Sequence, residues 1–177
     1  MSWGIYMKVK GYKCFNKDLT NRYGTKFCVG QIYIASGIVK FGNNGFHMCK
    51  NIEDTFRYFD TTNKDIRICE VIGSGNYTEH SDEYYGYYDM YSVEKLEIIK
   101  ELSREEIIEK GLHLKEQRAE RFVSTLSLTK EEISLFKEVF KNNKRILKAI
   151  AYYQENDKQA YTKQKLLIKE PQKNNLN

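Results

Sequence analysis

Apolar and polar residues alternate along the first part of the chain, whereas apolar residues recur at helical spacing in the second part. In the run over 66–73, for example, Ile66, Ile68 and Ile72 share one face. Alternation with a period of two is typical of strands that have one buried face. The pattern therefore predicts a series of short strands, over residues 8–15, 26–34, 38–41, 45–49, 66–73 and 90–101.

Turn-forming residues separate these strands. Gly and Asn tolerate positive φ, so the segments 35–37 and 42–45 predict turns between the strands that flank them. Asn51 is suited to cap a short helix over 52–59. The stretch over 76–89 is polar, acidic and rich in tyrosine, and it predicts either a mobile binding loop or a tyrosine-rich hairpin.

Helical signals dominate from residue 103 onward. Ser103 with Glu106, and Thr129 with Glu132, are spaced as capping boxes, in which a hydroxyl bonds a free backbone amide and a carboxylate lies near the positive end of the helix. Apolar residues at 3.6-residue spacing then form stripes that must pack away from water. The predicted helices cover 104–124, 130–142, 144–154 and 157–169.

These elements predict an α+β fold, in which a mostly antiparallel sheet with one short helix is followed by a C-terminal bundle of three to four helices. Ten of the eleven glycines precede residue 87, and the change of character falls near residue 102. The expected organisation is a β-rich domain over 1–102, a helical extension over 103–170 and a disordered tail over 171–177.

The apolar runs, the N-terminus and the cysteines indicate the cellular compartment of the protein. Its apolar runs are a few residues long, far short of the roughly 20 residues that a spanning helix needs, and the N-terminus lacks an apolar signal region. We therefore expect a cytoplasmic protein with no membrane partner. No two of its four cysteines have the close spacing of a zinc-ligand pair, so buried thiols are expected at Cys14, Cys28, Cys49 and Cys69.

Several short motifs occur together in the first part of the chain. They are Gly11-Tyr12-Lys13 with Phe15-Asn16-Lys17-Asp18-Leu19, Val29-Gly30 with Tyr33, Gly45-Phe46-His47 with Cys49 and Asn51, Tyr58, Glu70-Val71 with Ile72-Gly73, and Leu96-Glu97-Ile98. This combination, over about residues 9–102, resembles an uncharacterised domain family found mainly in bacteriophage and prophage genomes. The resemblance implies a phage or prophage origin, and it transfers no activity.

Phage accessory proteins of this size often bind and disable host defence machinery, and anti-CRISPR proteins are the best-known class. The leading hypothesis is therefore a non-enzymatic protein in the cytoplasm of a bacterial host. It would bind a host protein or ribonucleoprotein complex, such as a CRISPR effector, and inhibit it by occlusion.

The basic helices supply the candidate binding surface. From Lys137 to Lys173 there are ten Lys or Arg residues against four acids, and those before Ile150 recur at three- and four-residue intervals. One helix continuing through Asn142 and Asn143 would align them as a ridge that attracts phosphate backbones or an acidic protein groove. The predicted binding residues are Lys137, Lys141, Lys144, Arg145 and Lys148, with Tyr84, Tyr85, Tyr87 and Tyr88 as aromatic anchors.

Two alternative functions stay open. The strand over 45–49 and the helix after it resemble small ADP-ribosyltransferase-like folds, in which such elements help form the NAD cleft, so an NAD-dependent modifying enzyme is the first alternative. Glu94 and Glu97 depart from that class, because they are three residues apart where its acidic motif needs two. An RNA-binding accessory protein is the second alternative, although a lysine-rich face is also ordinary for a solvated helix.

Two clusters of residues could carry chemistry. His47 and Cys49 lie on one side of a predicted strand and could form a thiolate–imidazolium pair, but the same arrangement is typical of a packed core. His80, Asp82 and Glu83 could bind a metal or act as an acid–base pair, but acidic loops are more often only solvated. We therefore assign no catalytic residue, metal or cofactor from the sequence.

Overall fold

The computed structural model describes residues 8–58, 66–82 and 88–156. Their strands are β1 (Val9–Phe15), β2 (Ile32–Ile34), β3 (Phe46–Cys49), β4 (Arg67–Asp82) and β5 (Tyr88–Glu101). Their helices are α1 (Ile52–Thr55), α2 (Arg104–Leu112), α3 (Glu116–Thr125), α4 (Lys130–Val139) and α5 (Lys144–Ile150), followed by a π-helix over Ala151–Asn156. The α+β prediction is confirmed.

The strands pair antiparallel in a sheet that closes on itself. β4 and β5 pair along their length, from Cys69↔Glu101 to Asp82↔Tyr88, and β1 pairs with the other edge of β4. β2 and β3 both pair with the other edge of β5, and a contact in register between β1 and β3 completes the circuit. The closure places β3 between β5 and β1, which is where the cavity described below forms.

Three strand predictions need correction. The strand predicted over 26–34 is reduced to β2, and the segment 38–41 belongs to a turn held by an isolated bridge between Lys40 and Asn44. The segment 76–82 continues β4, so the hairpin interpretation of the polar stretch is confirmed for its described part. Polar side chains do not prevent this, because strand pairing satisfies the backbone whatever the side chains are.

The helices break more often than predicted. The helix predicted over 104–124 is two helices, α2 and α3, and the helix predicted over 144–154 is α5 continued by the π-helix. Within the described residues, the helix predicted over 52–59 is a single turn, α1. The helix predicted over 157–169 and the tail over 171–177 lie outside the described residues. A short break preserves the spacing of the apolar stripe, so periodicity does not reveal it.

Both capping boxes are confirmed. The Ser103 hydroxyl accepts a hydrogen bond from the Glu106 amide at 3.2 Å, and the Glu106 carboxylate accepts one from the Ser103 amide at 2.8 Å. Thr129 and Glu132 make the same two bonds at 3.2 and 2.8 Å. Each box satisfies backbone amides that have no partner inside the helix, and this determines where α2 and α4 begin.

The chain divides into two compact units, one ending at His113 and the other beginning at Leu114. α2 therefore belongs with the sheet, whereas the sequence analysis set the boundary at residue 102. None of the helices in the described part of the chain combines the length and the apolarity that crossing a bilayer requires.

Each unit has its own core. In the first unit the core consists of aromatic and aliphatic side chains, including Phe15 and Leu96 from the sheet and Phe27 from an irregular segment. In the second unit Phe122 of α3 stacks on Phe136 of α4, with 5.5 Å between the ring centroids. All five of these side chains are buried. The apolar positions that predicted strands and helices are thus the positions that fill the two cores.

Candidate ligand-binding cavity

A cavity of about 440 Å³ opens in the first unit beside β1 and β3. This volume lies within the ~300–1,000 Å³ that is typical of small-molecule sites. The lining comes from 12–14 of β1, parts of 21–27 and 41–46, the rest of β3, Thr55, Tyr58 and Met90. Among the residues that the structure describes, none of those lining the cavity is acidic.

Aromatic rings form much of the cavity wall. The Phe41 ring meets the His47 ring edge-on at 5.5 Å and stacks on the His80 ring of β4 at 4.2 Å. Phe46 of β3 lines the cavity as well, and Tyr23, which is 77% exposed, marks the opening. These rings give the cavity an aromatic lining that favours a ligand with apolar surface.

Lys13 of β1 brings an amine into this apolar wall. Its Nζ donates a hydrogen bond to the His47 carbonyl oxygen at 2.5 Å and lies 5.8 Å from the centre of the Phe15 ring. Burial lowers the pKa of Lys13 from 10.5 to about 8, and the thiols of Cys49 and Cys14 oppose this shift only in part. Among the described residues, no carboxylate forms an ion pair with Lys13.

Arg22 provides a second positive charge at the opening of the cavity. Its guanidinium lies over the Tyr23 ring at 4.8 Å from the centroid, and Nη2 donates to the Tyr23 hydroxyl at 2.6 Å. Guanidinium keeps its charge at any physiological pH and has donors left for an anion. The cavity therefore carries one permanent cation at its opening and one titratable cation deeper inside.

His47 of β3 adds a neutral hydrogen-bond donor. Its Nε2 accepts a hydrogen bond from the Gly42 amide at 3.1 Å, so the neutral ring carries its proton on Nδ1. Burial, and then the charges of Lys13 and Arg22, lower the pKa of His47, which keeps the ring neutral at pH 7. The Nδ1–H group is therefore available to a ligand.

The surroundings of Cys49 disfavour a thiolate–imidazolium pair with His47. Both residues line the cavity, as their shared side of the strand predicted. Burial, followed by the charge of Asp54, raises the pKa of Cys49 far above its usual range, so the thiol stays protonated. Burial likewise raises the pKa of Tyr58, another lining residue, to about 12. Neither group is a nucleophile at neutral pH.

One of the four cysteines departs from the prediction of buried thiols. Cys14, Cys49 and Cys69 are buried, whereas Cys28 is exposed. Its carbonyl accepts a hydrogen bond from the Gln31 amide at 3.3 Å, so it begins a turn where a strand was predicted. Without strand pairing at this position, the side chain has no sheet face on which to be buried.

The predicted lysine ridge is not continuous. Lys137 lies in α4, Lys141 follows that helix, and Lys144, Arg145 and Lys148 lie in α5. The Asn143 side chain accepts from two amides of the first turn of α5, both at 3.1 Å, so it starts a new helix at the point that a ridge would have to cross. Two of the five cations are also neutralised in ion pairs, Lys141 with Glu138 and Arg145 with Glu120.

The predicted tyrosine anchors are not available for comparison. Tyr84, Tyr85 and Tyr87 lie outside the described residues. Tyr88 begins β5 and pairs with Asp82 in the backbone register, while its side chain lies outside the described part. A role for these tyrosines in binding stays a prediction.

Of the cluster predicted at His80, Asp82 and Glu83, the structure describes the side chain of His80, which stacks on Phe41. Glu83 and the side chain of Asp82 lie outside the described residues. Glu94 accepts hydrogen bonds from the amide and the side chain of Asn76, at 2.9 and 2.8 Å, and neither it nor Glu97 lines the cavity. Within the described ranges, no three His, Cys, Asp or Glu side chains are grouped so that they could hold a metal ion.

Sequence reasoning missed Lys13, Arg22 and Phe41 as members of one site. Lys13 offered a signal, because it lies two residues before Phe15 and so shares the inward face of β1 with it. A lysine at an inward position of a strand requires either a partner or a cavity. Arg22 and Phe41 offered no such signal, since both lie in irregular segments that the fold brings beside β1.

The comparisons with known proteins agree with the outline of the first unit. The sequence model of a domain of unknown function, DUF7666, matches residues 9–110. The match includes the whole sheet and most of α2. No curated protein and no solved structure matches the chain.

Proposed function

We propose that this chain, which belongs to the DUF7666 family of domains of unknown function, binds a nucleotide-like small molecule in the cavity of its first unit. By nucleotide-like we mean a ligand that joins an anionic group to a flat ring. The observation that carries the proposal is the pairing of Lys13 and Arg22 in an aromatic cavity whose described lining contains no carboxylate.

The charge of the lining favours an anion. A buried cation without a counter-charge destabilises a protein, and the lowered pKa of Lys13 expresses that cost. A phosphate or carboxylate in the cavity would supply the missing negative charge and would also accept from Arg22. The His47 Nδ1–H group adds a hydrogen-bond donor that carries no charge, unlike Lys13 and Arg22. Hydrogen bonds that involve a charged partner contribute about 1.5–3 kcal/mol each.

The shape of the lining favours a flat ring beside that anion. Phe41, Phe46 and Tyr23 all line the cavity, and Tyr23 is the most exposed of the three. Aromatic contacts contribute about 0.5–1.5 kcal/mol beyond the area that they bury. A simple inorganic anion would leave this apolar wall unused, whereas a nucleotide would use the cations and the rings together.

The position of the cavity is also consistent with the first alternative from the sequence. β3 and the segment that contains α1 contribute to its wall, as expected for the NAD cleft of an ADP-ribosyltransferase-like fold. The described lining lacks the carboxylate with which that class assists transfer of the ADP-ribosyl group. We therefore propose binding without group transfer, with NAD as one of the ligands to be tested.

The test is isothermal titration of the full chain with AMP, ATP and NAD, with adenosine and inorganic phosphate as partial ligands. At least one nucleotide should bind, and both partial ligands should bind more weakly. Lys13→Met should weaken binding by about tenfold to a hundredfold, as the loss of a charge-assisted hydrogen bond implies. Lys10→Met is the matched control, because Lys10 is an exposed lysine of the same strand.

Three results would reject the proposal. One is no heat of binding for any nucleotide at about 1 mM, the weakest affinity that a specific site would show. Another is an equal loss of nucleotide affinity in Lys13→Met and Lys10→Met, which would show that binding depends on net charge alone. The third is equal affinity for phosphate and nucleotide, which would exclude a role for the aromatic wall. Release of nicotinamide from NAD would show that the chain catalyses a reaction of NAD and does not only bind it.

Phage or prophage origin, occlusion of a host nucleoprotein and RNA binding stay predictions from the sequence. The break between α4 and α5 removes the continuous ridge that the occlusion mechanism used. Co-purification with a host complex that survives replacement of Lys144 and Lys148 by Glu would locate any such partner elsewhere on the chain.

A further inference from the structure

Lys13 differs from Arg22 in that it can lose its proton. Its half-buried side chain lines the cavity, and Nζ donates to the His47 carbonyl oxygen. Once the amine is neutral, the N–H group that donates to this oxygen points toward it, and the lone pair of the nitrogen therefore points away from it. Among the described residues no carboxylate is paired with it to hold the proton in place.

We propose that Lys13 is a covalent site, at which Nζ forms an imine with an aldehyde that also carries an anionic group and a flat ring. The inference rests on the proposed function, because the cavity must first hold the anion and the ring. The division of labour follows from the chemistry of the two cations. Arg22 keeps its charge and recognises the anion, while Lys13 supplies the reactive nitrogen.

The reaction is a condensation that needs no oxidant or reductant. The lone pair of Nζ attacks the aldehyde carbon, a C–N bond forms, and the carbonyl π electrons move to oxygen. A proton passes from nitrogen to that oxygen and gives a carbinolamine. The hydroxyl then leaves as water after it takes up a proton, the C=N bond forms, and nitrogen loses its remaining proton to water. His47 lines the same cavity and its neutral ring carries an Nδ1–H donor, to which we assign a hydrogen bond to the carbinolamine oxygen.

The protonation equilibrium supports this assignment. At pH 7.5 a lysine with a pKa of about 8 is neutral in about a quarter of the molecules, whereas one with a pKa of 10.5 is neutral in about one in a thousand. Lys13 therefore presents a few hundred times more free amine than an exposed lysine. The lower basicity of the amine, the depth of the cavity and the charge of a bound anion, which favours protonated Lys13, all reduce this advantage. We therefore expect a ratio of labelling rates of at least about tenfold.

The experiment uses pyridoxal 5′-phosphate, which combines an aldehyde, a flat ring and a phosphate. The full chain is incubated with it at pH 7.5, the imine is reduced with borohydride, and labelled peptides are quantified by mass spectrometry. Lys13 should be labelled at least about ten times faster than Lys10, in line with its larger fraction of free amine. Lys13→Arg should abolish this fast phase, and Lys10→Arg should leave it unchanged.

Two related compounds separate the covalent step from binding. Pyridoxine 5′-phosphate, an alcohol in place of the aldehyde, should bind, should slow the labelling of Lys13 and should form no adduct. If it binds in the cavity while the aldehyde labels Lys13 no faster than Lys10, the imine is excluded and the proposed function stands. If neither compound binds while a nucleotide does, the imine is rejected and the proposed function stands. If no nucleotide binds either, both proposals are rejected.

Pyridoxal without phosphate tests the role assigned to Arg22. It should label Lys13 more slowly than its phosphate does, and Arg22→Gln should slow labelling by the phosphate but not by pyridoxal. Equal labelling rates for the two aldehydes in the parent protein would show that Arg22 does not recognise the phosphate as proposed. Circular dichroism of each variant verifies that the sheet is intact.

Discussion

Replacement of Lys13 by Met should stabilise the protein at neutral pH. The pKa of Lys13 falls from 10.5 to about 8, a difference of about 2.5 pH units, and one unit corresponds to about 1.36 kcal/mol. Burial of the charged amine therefore costs the folded state about 3 kcal/mol. Met has a similar length and no charge, and loss of the hydrogen bond to the His47 carbonyl offsets about 1 kcal/mol. The expected net gain is about 2 kcal/mol at pH 7.

This gain should disappear at high pH. Below about pH 8, Lys13 is protonated in the folded and the unfolded states, and the full cost of its burial is present. Between about pH 8 and 10.5 the unfolded state binds more protons than the folded state, so the free energy of unfolding of the parent protein rises with pH. Above 10.5 the amine is neutral in both states and the cost is lost. The advantage of Lys13→Met should therefore shrink from about 2 kcal/mol at pH 7 to about zero at pH 10.

The measurement is urea unfolding of the parent and of Lys13→Met at pH 7 and pH 10, followed by circular dichroism. Other groups that titrate in this range are common to both proteins and cancel in the comparison. Lys10→Met, which loses the same charge from an exposed position of β1, should change stability by less than about 0.5 kcal/mol at either pH. A variant that is less stable than the parent at pH 7, or a stability difference that does not change with pH, would show that burial of the charged amine does not destabilise the folded state.

Three further predictions follow from the same unit. Anion binding should weaken by up to about tenfold per pH unit above pH 8, because a bound anion favours the charged form of Lys13. Calorimetry should detect proton uptake on binding near pH 8.5. An affinity that does not depend on pH would contradict this prediction. A maleimide should label exposed Cys28 long before Cys49, whose pKa is raised by burial, and equal rates in the native protein would exclude the buried thiol. Gly11→Ala should destabilise the first unit by about 1–3 kcal/mol, because a Cβ there would collide with the backbone carbonyl oxygen of Cys49 and lie 2.6 Å from Met48 Cε. An unchanged urea midpoint would show that the sheet can adjust.

Local signals in the sequence predicted the elements that local chemistry determines. The capping boxes at Ser103 and Thr129 begin the helices that they predicted, because a hydroxyl and a carboxylate three residues apart can satisfy the same free amides in any fold. The alternation over 66–73 predicted the start of β4 for a similar reason. The extension of β4 through the polar residues that follow was not predictable, since pairing with β5 stabilises it and side-chain polarity does not.

The candidate site likewise combines a feature that the sequence revealed with features that depend on the fold. The inward position of Lys13 was visible in the alternation of β1, but its consequence depended on what lay opposite. Arg22 and Phe41 come from irregular segments, and closure of the sheet through β3 gives them a common cavity with Lys13. The lowered pKa of that lysine and the neutral state of His47 are results of burial, which is a property of the assembled unit.

Periodicity, capping and motifs act over a few residues, so the α+β class, the order of most elements, the two capped helix starts and the resemblance to an uncharacterised family could all be predicted from the sequence. The separation of α4 from α5, and the cavity that brings together a lysine, an arginine and several aromatic rings, depend on the folded chain. Desolvation and the balance of charge involve neighbours that are distant in sequence, and the closed sheet selects those neighbours.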